Sequence, residues 1–297
     1  QYFDLRMNNG IAFRGAMPYG EGFFIQPTEA HELFRLNPSH CDVLMPYLIG
    51  DDVNSHPCQH ASRYIINFHD WPLLNDGNQA TRCAMDYPLL LKIVEDRVKP
   101  QRLALPDNNS TAKHRRKIWW QFSNRADDLL AALKGKQRVL AISRTTAHLA
   151  FAFVPAQKIV HSERLVVIAD ESWDMFGILQ STTHELWACR PGVMTHETRK
   201  TYFIKEVFAT FPMPDRSKSI GGCANSYYMH RASVMESLDE GLTDIYNRFH
   251  DSDEASTDIQ KLRALHVELD HAVAAAYGWT DLELGHDFYK TKQGVRY

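Results

Sequence analysis

Glu163-Arg-Leu-Val-Val-Ile-Ala169 is followed, after three polar residues, by Trp173-Asp-Met-Phe-Gly-Ile-Leu-Gln180. From Leu165 the first stretch is an apolar run rich in β-branched residues, the pattern of a buried strand. The second switches to helical spacing, carried by Trp173, Phe176, Leu179, Thr183 and Leu186. Upstream, Arg138–Val154 is another β-rich run, and Arg63–Phe68 a compact apolar strand. Shorter strands are expected at Ile11–Phe13, Phe23–Ile25 and Val43–Tyr47. Helices are expected at Glu29–Leu36 (ended by Asn37-Pro38), at Tyr87–Val98 before Pro100, and near Ala126–Leu133. Residues 106–117 read as a polar, basic loop. From Gly221 the composition changes, and two amphipathic helices are expected at 223–247 and 257–277, with Asp251–Glu254 as the turn between them. The fold class is therefore α+β: a mixed α/β domain over 1–220, then an all-α helical hairpin over 221–297.

The chain has 297 residues, 44% apolar and 23% charged, which is ordinary for a globular protein and excludes disordered, collagen-like and disulfide-stapled classes. No apolar run approaches the roughly 18–20 residues that span a bilayer. The longest, Leu140–Pro155, is broken by Ser143, Arg144, Thr145, Thr146 and His148. No secretory or lipidation signal is present, and no membrane partner is expected. The first residues, from Gln1, read as the interior of a longer polypeptide. The five cysteines form no C-x-x-C pair, which suits free thiols in a reducing, cytoplasmic setting. His56-Pro-Cys58-Gln-His60 lacks the further ligands that a tetrahedral metal site needs, so no metal is expected there.

Charge is unevenly placed. Residues 97–138 carry 11 Lys/Arg against 3 Asp/Glu, while 222–297 carry 7 against 13 and 1–96 carry 6 against 12. A basic segment inside an acidic chain orients the field towards a polyanion on one side, or presents a solvated lysine-rich face. Signs of catalysis are missing. There is no glycine-rich phosphate loop after a strand, no Asn-Pro-Pro-aromatic run, no G-x-S-x-G elbow and no H-E-x-x-H. The chain by itself does not read as catalytic.

Several segments together resemble the C-terminal part of MmeI-like DNA methyltransferases, the type IIL restriction–modification enzymes. They include Pro46-Tyr-Leu-Ile-Gly-Asp-Asp-Val-Asn54, Ile65-Ile-Asn-Phe-His-Asp-Trp-Pro72, Val98-Lys-Pro-Gln-Arg102 and Trp119-Trp-Gln-Phe-Ser123. Further along stand Val139-Leu-Ala-Ile-Ser-Arg144, Leu179-Gln-Ser181, Phe208-Ala-Thr-Phe-Pro-Met-Pro214, Glu240-Gly-Leu-Thr-Asp-Ile-Tyr-Asn-Arg-Phe-His-Asp251 and Ala276-Tyr-Gly-Trp279. The resemblance implies a target-recognition domain, with residues 1–55 as a linker, followed by a helical domain. It implies a parent enzyme that methylates the adenine amino group with S-adenosylmethionine held by a methyltransferase domain in cis. This chain would then hold no cofactor and would have double-stranded DNA as its partner, in restriction–modification or phage defence.

Site residues follow from charge and from that resemblance. Phosphates are neutralised by Lys and Arg, and Lys99, Arg102, Lys113, Arg115, Arg116, Lys117 and Arg144 are the candidates. Bases are read by side chains with directional donors and acceptors, arginine on guanine and carboxylate on the cytosine amino group. Thr195-His-Glu-Thr-Arg-Lys-Thr201 falls where the family places base-reading residues, which gives His196, Glu197, Arg199 and Thr201; Thr201 stands where relatives often carry another arginine. Ser162, beside the second β-rich run, is a further candidate with His161 and Arg164. Trp119, Trp120 and Phe122 are assigned to packing. Two other functions compete: a protein-interaction module of a phage-defence complex, and a stand-alone metal enzyme using residues 54–60.

Overall fold

The computed structural model describes residues 3–75, 77, 82–191, 193, 200–291 and 294–297. Helix takes 46% of the chain and strand 15%, in several small sheets, so the α+β class expected from the apolar patterns is what forms.

Two four-stranded sheets organise the molecule. The first has the order Ala12–Arg14, Leu165–Ile168, Arg138–Ser143, Ala152–Pro155, antiparallel throughout. Leu165–Ile168 is buried on both faces, which is why it shows no polar alternation. The second has the order Phe24–Ile25, Arg63–Ile66, Leu44–Leu48, Val160–His161, the last pair parallel. The chain thus passes from the second sheet to the first between His161 and Leu165.

Each sheet has its own core. Around the second, Phe23, Ile25, Val43, Ile65, Leu90 and Val94 pack with Trp119 and Phe122, so the paired aromatics are core side chains. Around the first, Val139, Ile142, Val167, Phe176 and Leu179 pack with Ile220, Ala224, Tyr227, Leu262 and Leu269. This second set shows that the expected domain boundary at 220/221 does not separate two cores. The helix Lys218–Leu238 lies along Trp173–Gln180, and a Cβ on Gly177 would stand 2.9 Å from Ile220, Ala224 and Leu269 side-chain atoms. The C-terminal helices complete the first sheet's core.

Two expectations are corrected in detail. The helix expected at 223–247 is two helices, Lys218–Leu238 and Leu242–Phe249, which precede Thr257–Ala276. The break has two causes. Asp239 adopts a left-handed conformation (φ +53°) and ends the first helix. Gly241 then abuts the end of the helix Gly50–Ser55, where an added Cβ would lie 2.4 Å from Ser55 backbone. The basic loop expected at 106–117 contains a helix, Ser110–Lys117, whose start is capped by Asn109 Oδ1 accepting from the Ala112 amide (2.8 Å).

Because only a residue without Cβ fits at that contact, Gly241→Ala is expected to destabilise the protein by about 1–3 kcal/mol, the usual cost of overpacking. Urea denaturation measures it, and an unchanged midpoint would show that the helical segment does not dock on Ser55.

Candidate nucleic-acid interface

The helix Ser110–Lys117 has almost no apolar content, and its stability comes from its ends. Asn109 caps the start, while His114, Arg115, Arg116 and Lys117 fall in the last turn, where the helix dipole favours cations. Among the described residues Lys113 and Arg116 reach only Asp107, at 3.9 and 3.8 Å; Lys113 and Asp107 are well exposed and Arg116 is half-buried. Lys117 is exposed and has no ion-pair partner among the described residues. Exposed pairs of this length contribute little. The outer face of the helix is therefore a strip of cations loosely shared by one carboxylate.

The other phosphate candidates are placed differently. Lys99 is paired with Glu95 at 2.7 Å and lies 4.7 Å above the Trp119 ring. Arg102 is a correction: it is 1% exposed and cannot reach a phosphate. Its Nη2 donates to the carbonyls of Pro18 (2.6 Å) and Tyr19 (3.1 Å), and its Nη1 to those of Ile118 (3.2 Å) and Arg115 (3.4 Å). Burial, helped by the like charge of Arg115, lowers its pKa to about 10, so it stays protonated at neutral pH. Arg115 itself is half-buried. Its Nε donates to Ser123 Oγ (2.7 Å), and its guanidinium lies 3.6 Å above the Tyr19 ring. Arg144 is half-buried too, and its carbonyl accepts from the Tyr202 amide (2.8 Å).

Among the base-reading candidates, His196, Glu197 and Arg199 lie outside the described residues. Directly after them, Lys200–Thr201 pairs antiparallel with Thr145–Thr146, so Thr201 stands opposite the exposed Thr145. Strand alternation turns Lys200 inward, where it is 3% exposed and forms an ion pair with Glu185, and leaves Thr201 half-buried on the other side. Burial alone would raise the Glu185 pKa. Lys200, with His250 and Arg296 beyond it, outweighs that and holds it at about 2.

Ser162 is a second correction. It is 2% exposed; its amide donates to the Leu48 carbonyl (2.9 Å) and its Oγ accepts from the Arg164 amide (3.2 Å). His161 is equally buried, against the Pro155 carbonyl (3.0 Å). Of that group the turn exposes Arg164.

A cluster that sequence reasoning missed lies beside Lys200. His148 Nε2 donates to Asn247 Oδ1 (2.8 Å) and its Nδ1 accepts from Arg296 (2.8 Å), while its ring stacks on His250 at 5.3 Å. These residues come from three distant parts of the chain, and no local spacing announces them. Among the described residues, no group of three or more metal-ligating side chains is placed to hold a metal. No described helix is long and apolar enough to cross a membrane. A Cβ on Gly22 would lie 2.7 Å from the Arg97 backbone, so this glycine serves a close packing contact.

No family model matches the sequence, and no curated protein matches it. Among solved structures, the chain is similar to the Type IIL restriction–modification enzyme MmeI in complex with DNA, with a TM-score of 0.67 and 19% sequence identity. The similarity covers 92% of this chain, which spans 33% of the MmeI chain. The two share a fold over that region.

The buried histidines set a pH dependence. Burial, with Arg296 also opposing the charge, lowers His148 to about 4; burial likewise lowers His250 to about 3 and His184 to about 4. In the unfolded chain each takes up its proton near the ordinary value of 6.5. Between those values the unfolded state binds more protons, so this stability is full above about 6.5 and is lost as pH falls towards 4. Thermal melting should therefore drop steadily from pH 7 to pH 5. A flat profile over that range would mean that the imidazoles are solvated.

Proposed function

We propose that the chain is the double-stranded DNA recognition module of a site-specific adenine-N6 methyltransferase, working in restriction–modification or phage defence. The observation that carries this reading is the shared fold over 92% of the chain with an enzyme solved on DNA. The exposed cationic strip on Ser110–Lys117 supports it independently, because a single-signed helix face suits a polyanion. S-adenosylmethionine would supply the methyl group, held by a methyltransferase domain in cis; this chain's own part is to grip and read.

The grip is electrostatic. Lys113, Arg116 and Lys117 neutralise phosphates and release counterions, with Arg115 and Lys99 at the edges of the strip and Arg144 near the reading segment. Methylating an adenine requires turning it out of the stack, which a module that holds the rest of the site makes possible. The reading falls to Glu197 and Arg199, one for each base of a C·G pair, with His196 and Thr201 beside them. Lys200, buried against Glu185, anchors the end of that segment.

Lys113→Ala, Arg116→Ala and Lys117→Ala combined are expected to weaken binding to all duplexes alike. The slope of log K against log salt should flatten by about 2 to 3, roughly 0.9 for each lost phosphate contact. Mobility shifts on mixed sequences at graded salt measure this. An unchanged slope, or no affinity for DNA in the parent chain, would favour the protein-interaction reading.

Glu197→Arg together with Arg199→Glu reverses the reading pair. Selection from a randomised duplex pool should then exchange guanine and cytosine at one position and keep the others. Equal weakening at every sequence would remove both residues from base recognition.

A further inference from the structure

We propose that Arg115, stacked on Tyr19 and tethered to Ser123, forms a preorganised seat for one phosphodiester of the DNA backbone, with buried Arg102 as its positioning residue. The inference rests on the DNA-binding reading above and adds a specific geometry to it.

Tyr19 has φ +57°, a left-handed conformation that a bulky residue rarely adopts. Such strain persists only where the surroundings over-determine it, and here they do. Arg102 takes the carbonyls of Pro18 and Tyr19 from beneath. Pro18 also accepts from the Ser123 amide (3.2 Å), and Met17 and Asn124 exchange main-chain bonds at 2.8 and 3.1 Å. The turn that carries Tyr19 is thus tied to the segment that carries Ser123, and Tyr19 as a residue is left 41% exposed.

Arg115 is fixed on both of these. Its Nε is engaged by Ser123 Oγ, and one face of its guanidinium by the Tyr19 ring. Its two terminal NH2 groups have no hydrogen-bond partner among the described residues. A guanidinium held in this way presents parallel donors with little rotamer freedom left to lose, which matches two oxygens of a phosphate.

Charge points the same way. Arg102 has no carboxylate partner among the described residues, only carbonyl dipoles, and it lies near enough to Arg115 to feel its charge. The nearby acids are already shared, Asp107 by Lys113 and Arg116, and Glu95 by Lys99. The Arg115 guanidinium, with the buried Arg102 charge close to it, is therefore short of an anion, and a phosphodiester supplies one.

The seat differs from the rest of the strip in geometry, not in charge, so charge-conserving variants test it. Arg115→Lys should bind a mixed-sequence duplex about tenfold more weakly, the loss of a bidentate charge-assisted contact, with its salt slope unchanged. Arg35→Lys, a charge-conserving change at an exposed arginine outside the basic helix, should bind as the wild type does. Tyr19→Phe keeps the ring and should stay within about twofold of the wild type, while Tyr19→Ala should weaken binding about fivefold by freeing the fork. Thermal melting of each variant checks the fold; if Tyr19→Ala does not fold, the comparison of the two lysine variants decides. Equal affinity of Arg115→Lys and wild type would overturn the seat while leaving the DNA reading in place. A wild-type chain without affinity for any duplex would overturn both.

Discussion

The buried guanidinium of Arg102 is the interaction on which the candidate interface depends. A charge in the interior is costly unless its donors are satisfied. Arg102 makes four hydrogen bonds to main-chain carbonyls from two segments, Pro18–Tyr19 and Arg115–Ile118, while its buried Nε has no partner among the described residues. It thereby fixes the end of the basic helix against the turn that carries Tyr19. The same device recurs elsewhere. Arg263 takes the carbonyls of Arg248, Phe249, Asp251 and Glu254, closing the turn after Leu242–Phe249. Arg231, 2% exposed, joins the Phe151 carbonyl to Tyr246 Oη and Gln180 Oε1, so the first sheet and two helices meet on one side chain. Irregular segments are held by inward-facing arginines.

This explains which parts of the molecule were legible in the sequence. Strands such as Leu165–Ile168 and Arg63–Ile66 carry their burial in their own composition, and the structure places them as read. The helix Ser110–Lys117 was not legible as a helix, because it has no apolar stripe and depends on one capping asparagine and on the cations at its end. The break at Gly241 depends on Ser55, nearly two hundred residues earlier in the chain, so helical periodicity ran straight through it. Arg102 and Arg115 look alike in sequence, both basic residues in a basic stretch. Their difference lies in whether four carbonyls converge on the guanidinium, which is a tertiary fact. Ser162 was misplaced for a similar reason: its hydroxyl serves the turn between two sheets.

In the proposed function, gripping and reading fall to different elements. The cationic strip sits on a short helix beside the second core, while Thr201 belongs to a two-stranded ribbon that Lys200 and Glu185 pin to the first. A separate groove is lined by Arg14, Asp127, Asp128 and Glu163, with Glu163 3.7 Å from Arg14 and Asp127 2.9 Å from Arg125. The C-terminal helices, although acidic overall, complete the first core and bring His148, His250 and Arg296 together beside the Lys200 pair. Their place in the fold is as support for the ribbon.

The central claim is that a duplex is held along Ser110–Lys117 and the Tyr19 turn. Amide hydrogen exchange on the chain, with and without a mixed-sequence duplex, tests it most directly. The account predicts slower exchange on binding at residues 15–20 and 110–125, with the acidic helices 222–276 unchanged. Protection confined to those acidic helices, with the basic helix exchanging as it does in the free chain, would contradict it.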